Sequence, residues 1–185
     1  MLPETEIRIN EACKHYTPPV NASAIVRKLL RTVPEKYLKG LDCVVLTNQI
    51  ALSRKDGVGK VWSRKLRVAK SRVRGLYHYA SRTSLPYIEL RVDKIIASSE
   101  KWALHIPLLR DIIFGQVLFH EPGHHIHNTI RPEHTEKEDV ADTWAVRLNV
   151  NFVRKTYWYG VLVLKIYVFM MKGKWINVDR LPPLR

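Results

Sequence analysis

The stretch His120-Glu121-Pro122-Gly123-His124, followed after thirteen intervening residues by Glu138-Asp139-Val140-Ala141-Asp142, decides how this 185-residue chain is read. In an α-helix each residue turns by about 100°, so His120 and His124 lie one turn apart on one face. Their imidazoles can converge on one cation. Neutral imidazole suits Zn²⁺, and two histidines plus one carboxylate leave the open position that a catalytic zinc requires. Glu121 projects to the side, where it can take a proton from a metal-activated water.

Such a site needs a third ligand. A histidine six residues after His124 would supply it, but that residue is Ile130. His127 follows His124 too closely to complete a tetrahedron. A carboxylate from the next helix is the remaining route. Glu138 is the first choice and Asp139 the next, although Thr135 and Glu138 also have the spacing of a capping box. Asp142 lies one turn beyond Glu138 and can accept the spare ring N–H of a ligating histidine, fixing its tautomer. The plainer role for Asp142 is a solvated helix face.

HExxH followed on the next helix by Glu-x-x-(Ala/Ser)-(Asp/Asn) resembles the gluzincin branch of zinc metallopeptidases. Glu138-Asp139-Val140-Ala141-Asp142 matches the second motif residue by residue, and Trp144-Ala145 adds to the likeness. The short spacer and short chain are similar to the minimal gluzincin-like peptidases. The resemblance spans residues 107–150. It implies one zincin-like α+β domain over residues 1–185: a small mixed sheet packed on a long active-site helix, followed by a third-ligand helix. It also implies a hydrolase that cleaves a peptide or protein, with one Zn²⁺ on His120, His124 and Glu138 and with Glu121 as general base. The strand near Tyr87–Val92 would be the edge that holds an extended substrate. Pro122 departs from the family pattern. It lacks an N–H and opposes the carbonyl of residue 118, so a kink is expected there. A catalytically degenerate zincin acting as an interaction module is therefore one alternative.

Outward from the motif, the helix carrying it starts near Pro107, a residue suited to a first turn. Leu108, Ile112, Ile113, Val117 and Leu118 form its apolar side. Upstream, residues 4–16 read as a short helix within an N-terminal extension over residues 1–20. Residues 22–31 read as a better helix, capped by Asn21 and carrying Ile25, Val26, Leu29 and Leu30 on one side. A helical turn follows Pro34. Residues 43–47, 73–79 and 87–92 read as strands, the last with alternating buried and wet faces. Downstream, a second helix starts near Glu136. The apolar run 157–171, in a C-terminal segment over residues 156–185, reads as a core helix, and its tyrosines and flanking lysines keep an interfacial role open.

Lysine and arginine number 31 against 17 acids, a formal net charge of +14. Residues 54–74 concentrate this excess, with nine basic residues against one acid, Asp56. The Gly57-Val58-Gly59 tip reads as a hairpin turn, with Leu66–Ala69 as a solvent-facing strand. Such a segment can contact nucleic acid or an anionic surface, the second alternative function. Hydrophobic residues make up 46% of the chain, which excludes a disordered, collagen-like or mucin-like protein. Two cysteines, Cys13 and Cys43, cannot build a disulfide scaffold. They read as reduced, and with no secretory signal pattern at the start the expected location is cytoplasmic. No run reaches the roughly 20 apolar residues of a spanning helix.

Among the remaining candidates, His125 reads as a partly exposed polar residue and His134 as a loop residue. His127 falls close to His120 on the helical wheel and could line the cleft. Tyr77, Tyr157 and Tyr159 are candidates to steady an oxyanion, with nothing to choose between them.

Overall fold

The computed structural model describes residues 7–51, 60–63, 66–69, 73–130, 138–157, 159, 162 and 166. Its centre is a four-stranded mixed sheet. In chain order the sheet strands are β1 (Arg8–Glu11), β2 (Cys43–Thr47), β5 (Gly75–His78) and β6 (Tyr87–Arg91), and their spatial order is β1-β2-β6-β5. β1 and β6 both run parallel to β2, and β5 runs antiparallel to β6.

Of the helix expected over residues 4–16, the described residues 7–16 form none; Arg8–Glu11 is a strand. Ile7 and Ile9 are half-buried with Arg8 exposed between them, and Ile9 lies beside Val44 on β2. The apolar positions are too few to make a helical stripe, whereas period two fits a sheet edge. The ladder continues through the Ala12 N–H to the Leu46 carbonyl. Beyond it, the Asn48 side chain both accepts from the Lys14 N–H and donates to the Lys14 carbonyl.

Helix α1 (Ala22–Leu30) forms as expected. Asn21 Oδ1 accepts from the Ala24 N–H at 2.9 Å, and Ile25, Val26, Leu29 and Leu30 are buried. A 3₁₀ turn, Glu35–Tyr37, follows Pro34. The basic segment holds a two-stranded ribbon, β3 (Lys60–Ser63) and β4 (Leu66–Ala69), with Trp62 opposite Arg67. The hairpin turn expected at Gly57–Gly59 lies outside the described residues, as do the side chains of this segment.

Strand β6 is not the edge. It is paired on both sides, and among the described residues β5 is the edge strand next to it. Chain order misleads here because β6 inserts between β2 and β5, so the segment earlier in sequence ends up outermost. Short helices α2 (Val92–Ala97) and α3 (Lys101–His105) lead from β6 to the long helix α4 (Pro107–Ile130). Leu108, Ile112, Ile113, Val117 and Leu118 are all buried on α4. The last described helix, α5 (Glu138–Thr156), packs along α4 with Leu148, Phe152 and Val153 in the shared core. The start expected near Glu136, the Thr135 cap and most of the 157–171 run lie outside the described residues. Among the described residues, no helix is long and apolar enough to cross a membrane.

Register places Gly75, Tyr77, Ile88 and Leu90 on the sheet face that meets α4. Edge strand, long helix and α5 thus surround the HExxH segment.

Candidate metal centre

Helix α4 is unbroken from Pro107 to Ile130 with Pro122 inside it. His120 and His124 present their imidazoles to each other edge to face, with Nε2 atoms 3.1 Å apart. Helix α5 supplies the carboxylates. Glu138 Oε2 lies 3.3 Å from His120 Nε2, and Asp142 Oδ1 lies 3.2 Å from His120 Nδ1. His120, His124 and Glu138 each offer a donor atom, and all three lie within 4.8 Å of one another.

Gly123 permits this meeting of helices. A Cβ at that position would stand 2.8 Å from Ala141 Cα and 2.9 Å from Ala141 O. Two small residues bring the backbones together, and the side chains one helical turn to either side then converge. The donors suit a metal of zinc type: bonds of about 2.0–2.1 Å in a tetrahedron put neighbouring ligand atoms about 3.3 Å apart. The measured separations of 3.1 and 3.3 Å fit that spacing. This group can hold a metal ion.

The protonation states are consistent with a cation site. Burial, reinforced by His120, holds His124 down to about 3, so its imidazole is neutral at pH 7. Burial also opposes the charged form of His120, but the Asp142 hydrogen bond and the carboxylates of Glu121, Glu138 and Asp142 outweigh it and raise the pKa. A cation bound here displaces that proton. Glu121 is buried, at 5% exposure. Burial pushes its carboxyl up to about 7, with the charges of Glu138 and Glu89 adding, while His120 and the Tyr77 backbone N–H pull it back.

The structure corrects the reading of His125. It is 1% exposed and ties three elements together. Its Nε2–H donates to the Lys39 carbonyl at 3.0 Å, so Nδ1 accepts from the Tyr77 hydroxyl at 2.9 Å. That bond commits the Tyr77 hydroxyl to His125. His127 is buried near His124 and helps depress its pKa. Tyr157 is drawn to a different part of α4, donating to Asp111 and accepting from Lys28, each at 2.8 Å. Tyr159 stacks edge-on against Tyr157 and is half exposed. His134 and the side chain of Asp139 lie outside the described residues.

Sequence reasoning missed two contributors on the edge strand: Gly75, which lies against Glu121, and the Tyr77 backbone. A glycine inside a strand pattern was the available signal, since it often marks a close approach. No protein-family model, characterised protein or solved structure matches the chain.

Proposed function

We propose that the chain is a zinc-dependent metallopeptidase with a gluzincin-like site on a zincin-like fold. The observation that carries this reading is the convergence of His120, His124 and Glu138 beside a buried carboxylate, Glu121. His120, His124 and Glu138 would hold the ion, and Asp142 would fix His120 with Nε2 free for it. When bound, zinc supplies Lewis acidity toward a scissile carbonyl and toward water.

Glu121 does the proton work. It takes a proton from the attacking water and passes it to the departing amine. A carboxyl pushed up to about 7 is suited to both transfers near neutral pH. Strand β5 is the sheet edge beside Glu121, so an extended peptide can add to it as a further strand. This role passes to Gly75–His78 from the Tyr87–Arg91 strand.

The test has two parts. Wild type purified without added metal should carry about one zinc per chain, and Glu138→Ala should lose or loosen it. Glu121→Gln should retain the zinc and abolish cleavage in a peptide-library screen. Zinc-free wild type after reconstitution, or full cleavage by Glu121→Gln, sinks the reading.

A further inference from the structure

The Glu121 carboxylate lies against β5 at Gly75. The Arg91 N–H bonds to the Arg74 carbonyl, so residue 74 faces β6. Antiparallel alternation then turns the N–H groups of Gly75 and Tyr77 away from β6, toward the open edge. The Glu121 carboxylate, reaching from α4, lies against Gly75, and the Tyr77 backbone N–H beside it favours its charged form. The carboxylate can lie there because position 75 has no side chain. A Cβ there would stand 2.6 Å from Glu121 Oε1 and 3.2 Å from Glu121 Cδ. The Val117 Cγ1 methyl would also stand close, at 2.9 Å.

We propose that Gly75 is a positioning residue for Glu121: its missing side chain is the seat in which the carboxylate rests against β5, beside the Tyr77 N–H. The catalytic meaning of this seat rests on the reading of Glu121 as general base. The seat holds a buried carboxylate in one place. A peptide added to β5 would meet Glu121 on the strand's own edge, beside the Gly75–Tyr77 segment. A side chain at 75 would push the carboxylate away from both strand and substrate.

The experiment is a double-mutant cycle read by thermal unfolding, by zinc content and by amide hydrogen exchange at Tyr77. Gly75→Ala should keep about one zinc per chain, lower Tm, and speed Tyr77 exchange at least tenfold. Glu121→Ala should speed the same amide by a similar factor, because it removes the acceptor. Most of the Tm loss from Gly75→Ala should vanish in the Glu121→Ala background, where the overlap is gone. If Val117→Ala rescues Gly75→Ala and Glu121→Ala does not, Gly75 serves packing alone and the proposal is overturned. If Gly75→Ala alone does not fold, the Glu121→Ala protein still decides: unchanged Tyr77 protection there overturns the seat. These readouts need no substrate, so the seat can stand even if no peptidase activity is found. Where a cleaved peptide is known, Gly75→Ala should lower kcat at least tenfold with KM little changed. An unaltered kcat overturns the positioning role while leaving the peptidase reading intact.

Discussion

Asp142 Oδ1 lies 3.2 Å from His120 Nδ1, one helical turn beyond the Glu138 carboxylate that faces the other nitrogen of the same ring. One imidazole is thus held between two acids of α5, one at each nitrogen. The Nδ1 partner orients the ring and leaves Nε2 for a cation. Replacing Asp142 by alanine removes the orientation without removing a ligand. Zinc affinity should fall by about 10–100-fold, with zinc still bound at saturation. Competition against a chelator measures this, and an unchanged affinity would return Asp142 to a solvated helix face.

The two histidines should respond differently to pH. His124 is held down to about 3, so it stays neutral through the physiological range. His120 is raised by its carboxylate partners, so it carries a proton further up the scale. Binding a cation requires that proton to leave. Zinc affinity should therefore fall as pH drops below the His120 value, approaching about tenfold per pH unit for one displaced proton. His124 adds to the slope only near its own low value. Isothermal titration across pH 5–8 in buffers of different ionisation enthalpy reads both the slope and the released proton. A flat profile would show that His120 does not gate the site.

Gly123 offers a test of how the site is assembled. Its missing Cβ faces the Ala141 backbone, which cannot yield as a flexible side chain would. Gly123→Val should force α4 and α5 apart, costing about 1–3 kcal/mol of stability. It should also carry Glu138 and Asp142 away from His120. Zinc loss should therefore accompany the fall in Tm. A variant that is destabilised yet retains wild-type zinc affinity would mean that the helices reach the ion by another route.

The parts of this site written in local spacing were legible. Helical period pairs His120 with His124 and Glu138 with Asp142, the downstream motif points to the second pair, and the structure brings all four together. The α4 stripe and the Asn21 cap follow from the same kind of local rule. What failed depends on partners remote in sequence. Arg8–Glu11 becomes a strand because Cys43–Thr47 lies ready beside it. The outermost strand is Gly75–His78 because Tyr87–Arg91 inserts between it and β2. His125 is buried because Tyr77 and the Lys39 carbonyl reach it from different segments. No periodicity within a single element encodes these pairings.

Glu89 carries a prediction for the opposite face of the sheet, away from α4. Its carboxylate accepts from His78 at 2.9 Å and from Arg91 at 3.2 Å, and Arg91 is only 2% exposed. Burial opposes the charge on Glu89, but the hydrogen bonds and charges of His78 and Arg91 overcome it and lower the pKa below its usual value. A carboxylate depressed in the folded state adds stability above its unfolded pKa, and loses that contribution as pH falls through the folded value. Glu89→Gln keeps the shape but removes the carboxylate charge that faces His78 and Arg91. At pH 7 the loss should approach about 3 kcal/mol, as when one partner of a buried ion pair is removed. The gap between wild type and variant should then narrow on acidification below the usual carboxylate range, because protonated Glu89 is as neutral as glutamine. Urea unfolding of both proteins at pH 7 and near pH 3 measures the two gaps. A gap of equal size at both values would mean that the charge of Glu89 is not what holds this face together.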